Sequence, residues 1–320
     1  MDRLAEARKV FDIEITALEK TRDALDDIYL QILDLITSCK GKVIITGMGK
    51  PGHIAAKLAA TFASLGTPAF RLHPAEAMHG DLGMVSANDV VMVISFSGES
   101  DEIVKILPNI KMIGAKIVGI TGNPQSTLAQ ASDIVQVLPK FEEACFLGLA
   151  PTSSTTAALC YGDSLAVVAS GIYGFKDSDF GMFHPAGSLG KKLILKVGDL
   201  MTTGEKNAKV HVNVPLKDAI IELSKKGLGA VSVVGDDNKL LGIITDGDLR
   251  RQLEKGVDVY NLKVEDIMSP HPTTMGKEKL AIEALKLLKE KNISCLIVTE
   301  AEKAIGMIRL QDIVGVGIVG

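Results

Sequence analysis

Between residues 41 and 173, short apolar runs alternate with segments of helical spacing, and this alternation restricts the fold of the 320-residue chain most strongly. Four apolar runs have the length expected of a buried strand. They lie at 42–46, 90–95, 116–121 and 133–138. The helical segments lie at 52–65, 101–113, 126–131 and 154–173. Such alternation predicts an α/β domain with a doubly wound parallel sheet, in which ligands bind beyond the carboxyl ends of the strands.

The residues before the first strand also show a regular pattern. Apolar side chains recur from Leu4 to Leu35 close to the i, i+3, i+4, i+7 spacing of an amphipathic helix. This spacing predicts one long leading helix over residues 4–36.

The last third of the chain repeats itself. Val-Gly-Asp-Leu-Met at 197–201 recurs as Val-Glu-Asp-Ile-Met at 264–268, and the segment 241–248 recurs at 305–312. Two copies of one unit, each with a helix, two short strands and a closing helix, predict a pseudo-symmetric pair that buries one face against the other. We therefore divide the chain into domains at 1–195, 196–258 and 259–320.

Composition excludes several classes of function. The formal net charge is −4, with no basic stripe of the kind that nucleic-acid-binding proteins carry. The first residues lack the features of a signal peptide, and the apolar stretches are shorter than a membrane span. Four cysteines show no C-x-x-C pair. We expect a cytoplasmic protein without nucleic-acid or membrane partners and without a metal site.

Three polar segments follow the predicted strands and open helices. The first holds Gly47, Gly49 and Lys50, where glycines allow close backbone approach and lysine supplies a cation. The second contains three serines and the third a run of hydroxyl residues. Their candidate ligand groups are Ser95, Ser97, Ser100, Thr152 and Ser153. Each segment alone would also serve as a helix cap, but together they favour an anionic ligand such as a phosphate.

Titratable side chains lie between these segments. They are His73, Glu76, His79, Asp81, Glu142, Glu143 and His184. Interconversion of an aldose and a ketose phosphate requires a base for the C1 and C2 protons, an acid that opens a sugar ring, and a cation beside the oxyanion. Any one of these residues could instead be structural. The histidines lack the H-E-x-x-H spacing of a zinc site.

At this point six motifs resemble those of one family, the D-arabinose 5-phosphate isomerases. They are GMGKPGHIAAK, HPAEAMHGDLGM, SFSGES, EEACFLGLAPTSSTTA, the pair Gly162-Asp163, and HPAGSLGKKL. The resemblance implies a sugar isomerase (SIS) domain followed by tandem CBS domains. It also implies conversion of D-ribulose 5-phosphate to D-arabinose 5-phosphate, either for Kdo in lipopolysaccharide synthesis or in a sorbitol-operon paralogue.

The resemblance also implies roles for single residues. It places the family lysine at Lys50, the acid/base glutamates at Glu102 and Glu143, and the active-site histidines at His79 and His184. Our preferred assignment makes Glu143 the enediol base, His184 the group for ring opening or proton transfer, and Lys50 the oxyanion partner. Family members form homotetramers whose neighbouring subunits share sites, so a monomer is expected to be inactive.

Four positions depart from the family pattern. They are Pro51 for serine, Phe96 for asparagine, Phe146 for proline and Ala186 for glycine. Phe96 removes an amide from the serine loop and Pro51 removes a hydroxyl, which leaves the exact sugar less well defined than the fold.

The repeats resemble CBS domains, whose signature ends in Thr-x-x-Asp. Thr245 and Asp248 match it in the first copy, whereas Arg309 replaces the threonine and Asp312 is kept in the second. The resemblance implies an adenosine nucleotide, or CMP-Kdo as a feedback ligand, at these four residues; Arg309 could contact a phosphate or fill the cleft. No cofactor is expected for catalysis. The alternative that the CBS pair only stabilises the tetramer also stays open.

Two other functions stay open as well. SIS domains also serve as non-catalytic sugar-phosphate sensors in transcription factors, but the helix-turn-helix segment of those proteins is absent from this sequence. A related isomerase, such as a 6-phospho-3-hexuloisomerase, would act on another sugar phosphate and normally lacks the CBS pair.

Overall fold

A computed structural model describes residues 2–184, 188–256, 258 and 261–319. The chain forms two compact units, Met1–Lys176 and Asp177–Gly320. The helices Asp177–Phe183 and Ser188–Ile194 therefore group with the second unit. The predicted domain boundary after residue 195 stays a prediction.

The first unit is the predicted doubly wound domain. Its helices are α1 (Arg3–Asp23), α2 (Asp27–Thr37), α3 (Lys50–Ser64), α4 (Pro74–Ala77), α5 (Asp101–Ile113), α6 (Thr127–Ala131) and α7 (Ser153–Ile172). Its strands are β1 (Val43–Gly47), β2 (Ala69–Leu72), β3 (Val90–Ile94), β4 (Lys116–Thr121) and β5 (Ile134–Val137). All pairings in the sheet are parallel, in the order β2-β1-β3-β4-β5.

Helices cover both faces of this sheet. One face buries Ile32 of α2, Phe62 of α3 and Leu165 of α7, and the other buries Ile106 of α5 and Leu128 of α6. Because side chains of the strands are buried on both sides, β1 and β3 are buried throughout; β3 is entirely apolar, and Thr46 is the one polar residue of β1.

The leading helix departs from the prediction. The predicted single helix over 4–36 is two helices, because the chain turns at Ala24 and the carboxylate of Asp26 accepts a hydrogen bond from the Ile28 N–H at 2.9 Å. This cap starts α2 afresh. Strand β2 was not predicted either.

Among the described residues, α7 is the one helix long and apolar enough to cross a membrane. Within the structure, 44% of its most apolar window is buried. It packs against α1, α2 and α3 in the first unit. A core helix has the same length and composition, so this finding is weak evidence for a membrane span.

The second unit contains the two repeats. Its helices are α8 (Asp177–Phe183), α9 (Ser188–Ile194), α10 (Val197–Leu200), α11 (Leu216–Lys226), α12 (Asp246–Glu254), α13 (Val264–Ile267), α14 (Ala281–Glu290) and α15 (Leu310–Gly315). Its strands are β6 (Lys209–His211), β7 (Ala230–Val234), β8 (Leu240–Thr245), β9 (Ser269–Pro270), β10 (Thr274–Gly276), β11 (Cys295–Glu300) and β12 (Lys303–Arg309). They form one four-stranded and one three-stranded sheet.

The repeated residues explain how the two copies pack. A Cβ added to Gly242 would lie 2.9 Å from the sulfur of Met268, and one added to Gly306 would lie 2.9 Å from the sulfur of Met201. Each repeat therefore packs its methionine against the glycine of the other repeat. The methionine and glycine of the repeated sequence are the residues that make these two contacts. The prediction of a pseudo-symmetric pair is confirmed.

Candidate active site

The strand order places the site. In a sheet of order 2-1-3-4-5 the winding direction reverses between β1 and β3, and ligands of such folds bind at this switch point. The segments that follow β1 and β3 are the glycine-rich turn and the serine loop predicted from the sequence. The fold therefore puts both beside the same crevice.

The glycine-rich turn is tightly built. A Cβ on Gly52 would lie 2.5 Å from the carbonyl oxygen of Gly47, and Gly49 has a φ of 63°. Both positions therefore exclude larger residues without strain. Lys50 begins α3 and is exposed, and it makes no ion pair with any described residue. The lysine is thus available to an anion.

A second cation near this turn was missed by the sequence analysis. Arg71 on β2 is half-buried, and its Nε is buried without a hydrogen-bond partner among the described residues. One guanidinium nitrogen would lie 3.3 Å from a Cβ on Gly52. A basic residue inside a short apolar strand is the pattern that could have revealed it. Its charge adds to the positive potential at the start of α3.

The serine loop is held together by its own hydroxyl groups. The Oγ atoms of Ser95 and Ser100 are 3.2 Å apart, and the Gly98 N–H donates to Ser95 Oγ at 3.2 Å. Ser97 is exposed and its Oγ accepts from the Glu99 N–H at 3.3 Å. The loop leads into α5, whose N-terminus favours an anion. Ser95 and Ser100 thus shape the loop.

The glutamates of this region have different roles. Glu99 accepts hydrogen bonds from the N–H and Oγ1 of Thr127 at 2.7 and 2.8 Å, which lower its pKa. It therefore ties the serine loop to α6. Glu102 is half-buried on the first turn of α5, and no described residue hydrogen-bonds to its carboxylate.

Glu143 lies at the N-terminus of α7. Its Oε2 accepts from the Thr152 N–H at 2.6 Å, from Thr152 Oγ1 at 2.9 Å and from the Ser154 N–H at 3.3 Å. Thr152 Oγ1 also accepts from the Ala144 N–H at 2.8 Å. Three hydrogen bonds to Oε2 thereby fix the orientation of the carboxylate.

The electrostatics of Glu143 follow from this position. Burial is the largest single effect and would raise its pKa, but the hydrogen bonds from Ser154 and Thr152 together outweigh it and hold the pKa below the usual value. The N-terminus of α7 adds a favourable dipole. Glu143 is therefore ionised at neutral pH.

Ser153 stands beside this carboxylate on the first turn of α7. The residue is fully buried and its Oγ has no partner among the described residues. Unpaired buried hydroxyls are rare, since they cost free energy. Ser153 is therefore a donor without a visible acceptor next to the base candidate.

A cavity of only about 10 Å³ lies between the three polar segments. Its lining includes Pro51 from the glycine-rich turn, Phe96 from the serine loop and Ser154 from α7. One residue or more from each of the three polar segments therefore reaches the same cavity. The Phe96 ring packs on Phe141 with centroids 5.3 Å apart, so the cavity floor is apolar.

Two of the four family departures thus share one cavity, Pro51 and Phe96. Phe146 lies away from any core, with 82% of its surface exposed. Ala186 lies outside the described residues.

The histidines are less closely tied to this site. His79 is exposed in the segment after α4, and His73 caps that helix by accepting the Ala75 N–H at 3.2 Å. His184 belongs to the second unit, where its ring stacks on Phe180 and its Nδ1 lies 2.9 Å from the Phe180 carbonyl oxygen. Since a carbonyl can only accept, Nδ1 carries the proton and Nε2 of the neutral ring is an acceptor.

The Gly162-Asp163 pair has a structural role. A Cβ on Gly162 would lie 2.3 Å from a methyl carbon of Leu58, so glycine is needed where α7 crosses α3. Asp163 forms an ion pair with Lys57 across the same helix pair.

Within residues 2–184, 188–256, 258 and 261–319, no three His, Cys, Asp or Glu side chains are grouped as for a metal ion.

The predicted CBS ligand residues bond to one another in each repeat. Asp248 Oδ2 accepts from the N–H and Oγ1 of Thr245 at 2.8 and 2.7 Å. Arg309 makes a two-point contact with Asp312, at 3.0 and 2.7 Å. The carboxylate of Asp312 is therefore neutralised by Arg309, the N-cap residue of α15.

Comparisons with known proteins agree with this architecture. The SIS domain model matches residues 35–168, and the CBS domain model matches residues 197–255 and 264–318. Arabinose 5-phosphate isomerase KdsD of Pseudomonas aeruginosa is 41% identical, over 99% of this chain and 98% of the relative. The protein of that name from Escherichia coli K12 is 44% identical, over 98% and 95%.

Solved structures match the SIS part. An E. coli CFT073 protein in complex with A5P is 42% identical with a TM-score of 0.56, over 57% of this chain and 98% of that one. A putative sugar-phosphate isomerase from Listeria monocytogenes is 27% identical with a TM-score of 0.56, over 58% and 99%.

A parallel α/β domain with polar loops at its switch point, followed by paired CBS repeats, defines a sugar-phosphate isomerase of the SIS class with a CBS pair. Identity of 41% to 44% over nearly the whole length narrows the class further. The chain belongs to the arabinose 5-phosphate isomerase family.

Proposed function

We propose that the chain interconverts D-ribulose 5-phosphate and D-arabinose 5-phosphate through an enediol. The observation that carries this proposal is the fixed, ionised carboxylate of Glu143 beside loops suited to a phosphate. The relatives named for this activity match nearly the whole chain, and a structure with A5P bound covers 57% of it. We further propose that the product supplies Kdo synthesis.

Glu143 takes the role of the base. In the ketose, the base removes a proton from C1 while the C2 carbonyl oxygen takes up a proton, which gives an enediol. Return of a proton to C2, with loss of the proton on the C1 oxygen, leaves the carbonyl at C1, and the face of its delivery decides between arabinose and its C2 epimer. A carboxylate held at one oxygen by Thr152 and Ser154 keeps the other oxygen aimed at a single position.

A lysine and an imidazole complete the proposed set. Lys50, which has no ion-pair partner among the described residues, stabilises the oxyanion that develops on the carbonyl oxygen. His184, with Nε2 as its free ring nitrogen, serves ring opening of the arabinose phosphate. The serine loop and the N-terminus of α5 hold the phosphate.

No cofactor enters this reaction, because the proton transfers need only these side chains. We propose that the CBS pair takes a regulatory nucleotide or CMP-Kdo, and that the protein acts in the cytoplasm. All four cysteines are free, which fits a reducing compartment.

We also propose that the active form is a homotetramer with shared sites. Phe146, Leu147 and Leu149 follow Glu143 in the chain, and each exposes more than three quarters of its surface. Leu4 and Phe11 on α1 are exposed as well. Contiguous exposed apolar side chains mark association surfaces.

Complementation tests this sharing. Inactive His79→Ala and Glu143→Gln proteins are mixed, dissociated in mild urea and reassociated. If one site takes residues from two subunits, the mixed oligomer regains up to about a quarter of wild-type activity. Persistent inactivity of a verified mixed oligomer would show that each site lies within one chain.

A further inference from the structure

The serine loop, residues 95–100, is held in place by a side chain that the proposed reaction does not use. The loop follows β3 and leads directly into α5. Glu99 precedes Ser100, the N-cap residue of α5. The N–H groups of the first turn of a helix have no acceptor within the helix. The position of Glu99 therefore decides where these donors point.

The backbone of the loop is attached to the segment that follows β4. The carbonyl oxygen of Phe96 accepts from the Gly122 N–H at 2.9 Å and from Thr121 Oγ1 at 3.1 Å. The Leu128 N–H donates to the carbonyl oxygen of Gly98 at 3.1 Å. On the loop, these contacts use backbone oxygens, so they do not depend on its side chains.

Gly98 allows the loop to approach the start of α6 closely. Its φ is 69°, and a Cβ at this position would overlap the Oγ atom of Ser126. Glycine adopts this backbone conformation without strain. The loop and the N-cap residue of α6 are therefore in direct contact.

Glu99 adds a side-chain contact to this attachment. Its Oε1 accepts from the Thr127 N–H at 2.7 Å, and its Oε2 accepts from Thr127 Oγ1 at 2.8 Å. These hydrogen bonds lower the pKa of Glu99, so the carboxylate is ionised at neutral pH. Both of its oxygens face the first residue of α6.

The charges of this region give the contact a testable sign. Glu99, Asp101 and Glu102 place three carboxylates within four positions. Each of them repels a phosphate dianion, so by charge alone the loss of any one should strengthen phosphate binding. The hydrogen bonds of Glu99 to α6 have the opposite effect, because they order the loop that binds the phosphate.

We propose that Glu99 is a positioning residue that fixes the serine loop against α6, so that Ser97 and the first N–H groups of α5 are ordered before the phosphate binds. Without this contact the loop samples other conformations, and the apparent affinity falls with the fraction of molecules in which the loop is ordered. The inference rests on the proposed function, in which the serine loop holds the substrate phosphate.

Binding of D-arabinitol 5-phosphate to the full chain, measured by calorimetry, tests this role without turnover. This sugar alcohol carries the phosphate but no carbonyl group, so it does not isomerise. We expect Glu99→Ala to weaken binding at least about fivefold, as for a loop that is ordered in about one molecule in five. In steady-state kinetics KM should rise by a similar factor, whereas kcat should stay within about twofold, because Glu143 is unchanged.

Two variants separate position from charge. Asp101→Asn removes the same charge from an exposed neighbour on α5, and should leave binding unchanged or make it tighter. Glu99→Gln keeps an oxygen for the Thr127 N–H, and its amide can donate to Thr127 Oγ1. Its binding should therefore stay within about twofold of wild type. Thermal melting verifies that each variant folds.

A double-mutant cycle tests the contact itself. Thr127→Val removes the hydroxyl and keeps the shape, so it should weaken binding about twofold alone and not at all in the Glu99→Ala background. Unchanged or tighter binding by Glu99→Ala, an equal loss in Asp101→Asn, additive effects in the cycle, or no binding by the wild type would overturn the proposal. Turnover of D-ribulose 5-phosphate by the wild type is measured in parallel, so a failure of the isomerase proposal is distinguished from a failure of the role of Glu99.

Discussion

Replacement of Glu143 by glutamine isolates the chemistry of the carboxylate from its place in the fold. Glutamine has the same shape and keeps an oxygen that can accept the hydrogen bonds of Thr152 and Ser154, which now hold Oε2. It cannot accept a proton from C1. The variant should therefore fold and bind substrate but turn it over slowly.

The magnitude follows from two separate effects. Loss of a positioned general base costs a factor of about 10² to 10⁴ in turnover, or about 3 to 5 kcal/mol in the barrier. Loss of the negative charge at the N-terminus of α7 should cost about 1 kcal/mol of folding stability. Stability therefore changes little, whereas kcat falls by orders of magnitude and KM stays within about threefold.

The stability part also depends on pH. The pKa of Glu143 lies below its unfolded value of 4.5, so its contribution is present above that pH and is lost as the pH falls through the folded pKa. The difference in Tm between wild type and Glu143→Gln should shrink on acidification from pH 7 to below 4.5.

Steady-state kinetics with arabinose 5-phosphate, beside calorimetric melting, measures both effects. Glu142→Gln is the matched control, because Glu142 is the exposed neighbour and should leave kcat unchanged. A fall in kcat below tenfold in a folded Glu143→Gln protein would refute the assignment of the base. Glu102→Gln would then be the next variant to test.

Two further predictions concern the scaffold. Gly162→Ala should destabilise the protein by about 1 to 3 kcal/mol, because its Cβ would lie 2.3 Å from Leu58. Gly171→Ala on the same helix meets nothing within 4 Å and should be neutral or stabilising, so equal Tm shifts would contradict the packing argument. Asp89 is 1% exposed; burial acts to raise its pKa, but hydrogen bonds, chiefly from Lys42, outweigh it and lower the pKa. Asp89→Asn should cost about 2 to 4 kcal/mol at pH 7, with a Tm deficit that narrows as the pH falls below 3.8, and a deficit independent of pH would contradict this reading.

The helices and strands of the first unit were largely predictable from the sequence, because burial requires apolar residues at a spacing typical of each element. β3 and β4 are almost completely buried, so they are continuous apolar runs, and the predicted range 116–121 is the observed one. Strand β2 was missed because it is four residues long, lies at the edge of the sheet and carries Arg71. A strand that is only partly buried leaves no such run.

The break after α1 was missed for a related reason. Apolar spacing continues through Ala24 and Leu25, whereas the signal for a new helix is the single carboxylate of Asp26. A helix cap does not change the spacing of the apolar residues, so that spacing alone does not reveal the break between α1 and α2.

The loops of the candidate site could be placed from sequence because parallel strands bring their carboxyl ends to one edge. The contacts within the candidate site could not be predicted from the sequence. Glu143 lies in an irregular segment, and only the fold shows that its carboxylate meets the start of α7. Likewise, the sequence does not show that the Arg309 guanidinium forms an ion pair with Asp312, three residues further along the chain.

The central claim is the isomerisation itself, and proton NMR in deuterated water tests it most directly. Chelator-treated protein is incubated with D-ribulose 5-phosphate, and the products are identified by their coupling patterns. The proposed function predicts arabinose 5-phosphate that carries deuterium at C2, with a rate unchanged by the chelator. No turnover of this substrate by a folded oligomer, or conversion to a different sugar phosphate, would contradict it.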